Sequence, residues 1–302
     1  MTAAPVNGIT IEYDEHGDAG GEPLLLVMGL GAQLIDWPQG FVDLLVERGF
    51  RVIRYDNRDI GLSTKIDAPA PTVRRIVLAT VSRRFAHPAY VLKDMADDAV
   101  ALLDHLGIGS AHVVGASMGG MIAQTIAIEH PAKVRSLTSI MSNTGDHKHG
   151  KVTLKLMRRM PRLLAKSRKD PVGGGVIVGR LISGPHFDEV EARQLIEADL
   201  ARDGDASGTA RQTIAIAGSP DRTEALGNVT VPTLVVHGLV DPLVKPSGGV
   251  TTARSIPGSK LLMFPDMGHD LPQHRWTEVA EAIAANAREA APVAAASAGH
   301  DA

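Results

Sequence analysis

Short apolar runs alternate with longer amphipathic stretches along most of this chain, a rhythm that predicts strands alternating with helices. Gly8 to Asp14 alternates with a period of two and leads into the glycine-rich Gly17 to Gly21, which predicts an early hairpin strand. Leu24 to Met28 is apolar throughout, as in a strand covered on both faces. Phe41 to Glu47 has helical spacing and stops at Gly49, and Arg51 to Tyr55 reads as the next strand. Met95 to Leu106 predicts an amphipathic helix carrying Asp97, Asp98 and Asp104 among apolar positions and ending at Gly107. A strand at Ala111 to Val114, a helix at Met121 to His130 and a strand at Val134 to Met141 continue the series.

From Thr144 to Asn228 the rhythm is lost: this stretch is richer in basic residues and is interrupted by Gly173-Gly174-Gly175. Alternation resumes with Pro232 to His237, Lys260 to Phe264 and a helix at Thr277 to Ala287. The pattern predicts an α/β fold, a mostly parallel central sheet with helices on both faces. Its core would comprise residues 1–143 and 229–302, with a helical cap at 144–228 over one end of the sheet and a loose Ala-rich tail from Ala291.

The composition narrows the chemistry. Aromatic residues make up only 3% against 44% hydrophobic residues, so the core must be mainly aliphatic. With no cysteine, disulfides, thiolate metal sites and a cysteine nucleophile are all excluded. A net charge of −3 gives no reason to expect a nucleic-acid partner. Met1 to Gly8 has neither a basic nor an apolar leader region, and no apolar run reaches the ~18 residues of a membrane span. A cytoplasmic protein is expected.

The densest chemical signal is Gly115-Ala116-Ser117-Met118-Gly119, set between a strand-like run and a helix-forming one. In that setting a G-x-S-x-G sequence makes a sharp turn that pushes the serine hydroxyl out above the strand end, with the glycines allowing strand and helix to approach. A serine hydroxyl needs a base to take its proton, and the base needs a partner to fix its tautomer. Asp241 follows the strand ending at His237, and His269 follows the strand ending at Phe264, so the order is Ser117, Asp241, His269. Asp266 and Asp270 flank His269 as rival acids, and His237 reads as a packing residue at a strand end. Two backbone N–H groups should hold the oxyanion: that of Met118, and that of Leu30 in the loop Gly29-Leu30-Gly31. Gly29, Gly31, Leu239 and Val244 are candidate pocket residues, and an apolar pocket is expected.

Together, Met28 to Gly31, Asp56-Asn57-Arg58-Asp59, Gly61, Ser63, Met95 to Asp98, Gly115 to Gly120, His237-Gly238, Asp241 and Gly268-His269 resemble the α/β-hydrolase superfamily over nearly the whole chain. The Asp-Asn-Arg-Asp element is similar to a bacterial branch that includes aclacinomycin methylesterase-like proteins, which remove a methyl ester from a polyketide. Many superfamily members have Arg-Gly-His-Gly where this chain has Arg58-Asp59-Ile60-Gly61, and His-Gly where it has Met28-Gly29. The resemblance implies a carboxylic-ester hydrolase acting on a small-molecule ester without cofactor or metal. C–C bond hydrolysis or perhydrolysis on the same triad, and a ligand-binding protein with slow turnover, stay open beside it.

Other features invite function more weakly. Lys151, Lys155, Arg158, Arg159, Arg162 and Lys166 form a basic stripe opposite Val152, Leu156, Met160, Leu163 and Leu164. It reads as a solvated helix face, or as a surface for anionic substrates or an acidic membrane. Arg74-Arg75 and Arg83-Arg84 bracket an apolar run that predicts an amphipathic helix. Gly173 to Gly175 lacks the lysine of a phosphate loop and reads as a hinge or loop, and Asp146, His147 and His149 as an exposed polar loop.

Overall fold

The computed structural model describes residues 1–290, apart from the side chains of Thr80, Val81, Pro161, Leu164 and Arg168. The expected tail from Ala291, and Leu164 in the basic stripe, lie outside what is described. In chain order the elements begin with β1 (Thr2–Val6), β2 (Ile9–His16), β3 (Glu22–Val27), α1 (Gln39–Val46) and β4 (Phe50–Tyr55). Next come α2 (Val73–Val81), α3 (Leu92–His105), β5 (Ala111–Ala116), α4 (Met118–Glu129) and β6 (Val134–Ile140). Four helices follow: α5 (Leu154–Lys169), α6 (Pro171–Ile182), α7 (Glu189–Arg202) and α8 (Ser207–Gly218). The chain closes with β7 (Thr233–Gly238), α9 (Ser247–Ser255), β8 (Lys260–Phe264) and α10 (Trp276–Arg288).

The strands form one sheet in the order β1-β2-β4-β3-β5-β6-β7-β8. Only β1 and β2 run antiparallel to their neighbours; from β4 onward every pairing is parallel. The early hairpin turns one strand before the position the glycine pattern suggested. Asn7 and Gly8 both take positive φ, 48° and 76°, and so connect β1 to β2 as a two-residue turn whose twist matches the strands. Pro5 masks β1 in the sequence, and it is tolerated because β1 is the sheet edge.

The continuous apolar run of β3 is the central strand, and its side chains divide by parity. Leu25 and Val27 join the core under α3 and α4, whereas Leu24 and Leu26 join the core under α1 and α10. All four are fully buried, which explains the absence of polar alternation.

Residues 144–228 hold α5 to α8 and, among the described residues, no strand. The triple glycine is not a hinge but lies inside α6. Asp170 caps that helix by accepting from the Gly173 N–H at 2.9 Å, with Pro171 at the first helical position. A Cβ at Gly174 would collide with Ser167 Cα, so the glycine lets α5 and α6 approach. The basic stripe is exposed, Lys151 just before α5 and the rest on it, over buried Leu156 and Leu163. No helix among the described residues is long and apolar enough to cross a membrane.

Candidate active site

Ser117 sits between β5 and α4 with φ 56° and ψ −117°, a conformation that costs a non-glycine residue about 1–3 kcal/mol. Its surroundings over-determine it. The Ser117 N–H donates to the Ile140 carbonyl at 2.9 Å, and the Ser142 hydroxyl donates to the Ser117 carbonyl at 2.8 Å. A Cβ on Gly115 would collide with the Gly119 carbonyl, and one on Gly119 with the Val27 carbonyl. The glycines are therefore demanded by the closeness of β3, β5 and α4.

β7 and β8 bring the other two groups. His269 Nε2 lies 2.9 Å from Ser117 Oγ, and His269 Nδ1 lies 2.7 Å from Asp241 Oδ2. Asp241 has a fully buried side chain, and its second oxygen accepts from the N–H groups of Leu243 and Val244, both at 2.8 Å. With both oxygens engaged, Asp241 has one orientation toward the imidazole. It requires Nδ1–H to donate and leaves Nε2 free to accept from the serine hydroxyl. The His269 N–H is itself fixed to the Ile182 carbonyl of α6 at 2.7 Å.

The two flanking acids are engaged elsewhere. Asp266 faces Arg275 at 3.0 Å and His274 at 2.8 Å, contacts that hold its carboxyl down at about 2. Asp270 accepts from the backbone N–H groups of Gly268 and Gly184, while burial pushes its carboxyl up. His186 joins Asp266 and His274 as a group of possible metal ligands, but Arg275 shares the same carboxylate. His237 is buried and donates from Nε2 to the Val244 carbonyl at 2.8 Å, and burial lowers its basicity. Asp146 and His149 pair with each other on the exposed loop.

Two backbone N–H groups near Ser117 have no acceptor among the described residues: that of Met118, the first residue of α4, and that of Leu30. The Leu30 loop lies against Ser117, since a Cβ built on Gly29 would lie 3.2 Å from Ser117 Cβ. Gly31 takes φ 72°, and its N–H donates to Gln212 Oε1 of α8 at 2.9 Å. Gln212 is fully buried and returns a bond from Nε2 to the Arg58 carbonyl at 3.0 Å. Nothing in the sequence pattern signals Gln212. From the core side, Asn57 Nδ2 holds the Met28 carbonyl at 3.0 Å. Leu239 is half exposed, whereas Val244 is buried behind Asp241.

The Asp56-Asn57-Arg58-Asp59 element joins core and helices. Asp56 pairs with Arg202 of α7 at 3.0 Å, Arg58 with Asp98 of α3 at 2.6 Å, and Asp59 with Arg211 of α8 at 2.7 Å. Asp56 and Asp59 are fully buried, so these arginines neutralise charges that would otherwise be costly.

A mostly parallel sheet with a strained serine after β5, an acid after β7 and a histidine after β8 defines a hydrolase architecture. Residues 22–172 match the family model described as alpha/beta hydrolase fold, and the chain belongs to that family. It is similar to rhodomycin D methylesterase DnrP from Streptomyces peucetius, at 29% identity over 93% of this chain and 96% of the relative. DauP from Streptomyces sp. (strain C5), also a rhodomycin D methylesterase, matches with the same identity and coverage. Among solved structures, the enol-lactonase from Burkholderia xenovorans LB400 superposes with a TM-score of 0.73 at 21% identity, covering 95% of this chain and 100% of that one. A thermophilic esterase from Thermogutta terrifontis superposes with a TM-score of 0.70 at 23% identity, covering 95% and 97%.

Proposed function

We propose that the chain is a serine hydrolase of carboxylic esters, methyl esters among them, working through an acyl-enzyme. The carrying observation is the continuous line from Ser117 Oγ through His269 to Asp241, at 2.9 and 2.7 Å. Ser117 attacks the ester carbonyl while Nε2 of His269 takes its proton, and Asp241 stabilises the imidazolium. The Leu30 and Met118 N–H groups receive the oxyanion. His269 then returns the proton to the leaving alcohol, and the same imidazole activates a water that releases the acid. The methylesterase activity named for the two Streptomyces relatives supports an ester substrate. In this reading α5 to α8 form the cap over the site, and the chemistry uses no cofactor.

The test is hydrolysis of p-nitrophenyl acetate, butyrate and octanoate by wild type and Ser117→Ala. Turnover lost in the variant supports the mechanism. Equal rates in both, or none in the wild type, would refute it.

A further inference from the structure

A cleft of about 310 Å³ opens between α2, α4, the loop after β6 and α8. Ser117 does not itself line it, but residues that fasten the serine's backbone do: the Met121 N–H donates to the Ser117 carbonyl at 3.3 Å. Met121 in its lining is one helical turn past Ser117, and Asn143 follows the Ser142 that holds the Ser117 carbonyl. Thr213 in the same lining follows the Gln212 that holds the Leu30 loop.

Three cations line this cleft: Arg83, Lys151 and Arg222. Among the described residues none of the three is ion-paired to a carboxylate; the cleft's one acid, Asp146, is engaged with His149. Arg222 is 5% exposed, and buried arginines are normally paired. Its guanidinium donates to the Gln124 side-chain oxygen at 3.2 Å and to the Pro220 and Asn143 carbonyls at 3.4 and 3.1 Å, all neutral acceptors. Those contacts engage three of its five N–H donors and leave it without a salt-bridged carboxylate. Burial lowers its basicity to about 10, with Asp221 opposing. A desolvated guanidinium at the base, with Arg83 and Lys151 exposed at the rim, suits a carboxylate, which takes charge-assisted hydrogen bonds from such a fork.

We infer that the cleft binds a free carboxylate of the substrate, so that the preferred esters are half-esters of dicarboxylic acids. The inference rests on the ester-hydrolase reading for its kinetics. It gives the expected apolar substrate one anionic end, and the carboxylate raises affinity without entering the chemical step.

The experiment compares kcat/KM for the monomethyl and dimethyl esters of succinate, adipate and suberate in the wild type and in Arg83→Gln/Lys151→Gln, two exposed changes that spare the fold. The wild type is expected to favour the half-ester at least tenfold for at least one chain length. The double variant lowers that ratio about tenfold, and Arg83→Lys/Lys151→Arg keeps it. The preference also shrinks when salt is raised, because rim charges are screened. Equal kcat/KM for both esters at every length, or a ratio the double variant does not move, overturns the inference. If no ester is turned over, the hydrolase reading fails instead. Calorimetric titration of adipate into wild type and double variant then decides the cleft: tenfold weaker binding in the variant supports it, and no binding to wild type refutes it.

Discussion

Replacing Gln212 by Met keeps roughly its volume and deletes both of its hydrogen bonds. The Gly31 N–H and the Arg58 carbonyl, now held at 2.9 and 3.0 Å, would each lose their partner in a buried setting. Each orphaned group costs about 1–3 kcal/mol, so the Gly29–Gly31 loop, the proposed oxyanion loop, escapes that cost only by moving. A Cβ at Gly29 would already lie 3.2 Å from Ser117 Cβ, so little movement is needed to misdirect the adjoining Leu30 N–H. Losing one oxyanion donor outright costs about 10²–10³ in kcat, which sets the ceiling; partial misalignment sets a floor of about tenfold. The expected outcome for Gln212→Met is a kcat between those limits on p-nitrophenyl butyrate, with KM changed less than about threefold. Inactivation by a phosphonate ester, whose adduct needs the same oxyanion donors, should slow in parallel. A variant with lowered Tm but wild-type kcat would show that Gln212 only packs α8 against the core. A raised KM alone would refute the reasoning too.

Three further outcomes follow from buried ionisable groups. Arg211→Met strands Asp59, which is fully buried, and should cost about 3–5 kcal/mol at neutral pH. Because the stranded carboxyl takes up a proton, the deficit should shrink toward pH 4 in urea melts; a deficit under 1 kcal/mol at pH 7 would contradict this. His112 is held neutral by burial, which lowers it from 6.5 to about 4. The unfolded chain therefore protonates first, and the fold loses on the order of 3 kcal/mol as pH falls through that window. His112→Gln should flatten the acid limb of the stability curve, and an unchanged limb would exclude His112 as its source. Asp36, in the short turn before α1, meets Asp199 of α7, and burial raises both carboxyls. The stability from their protonated forms is fully present below the ordinary carboxylate value of 3.8 and is lost as pH rises from there through the raised values of about 6 and about 8. Asp199→Asn should remove most of the loss of stability between about pH 4 and 8, and persistence of that loss would count against the pair.

What the sequence discloses about the site is local. Ser117, Asp241 and His269 stand in short motifs whose turn chemistry shows at a distance of a few residues, and the structure brings their side chains into one line. The central strands are legible because burial on both faces leaves β3 without polar interruption. α9 is hidden because its glycines serve packing: a Cβ on Gly249 would lie 2.6 Å from His237 Nδ1. The glycines of α6 misled for the same reason. Gln212 reaches Gly31 across 181 residues of sequence, and Arg202 reaches Asp56 across 146. No periodicity encodes such partners. The Asp-Asn-Arg-Asp element marks a family resemblance in the sequence, but its task of fastening α7 and α8 to the core shows only in three dimensions.

The most direct test of the account is to treat the protein with a fluorophosphonate and map the adduct by peptide mass. The triad predicts one stoichiometric adduct on Ser117, formed much more slowly in His269→Ala and Asp241→Ala. No adduct, an adduct on another residue, or equal rates in those variants would contradict the claim that Ser117 is the activated nucleophile.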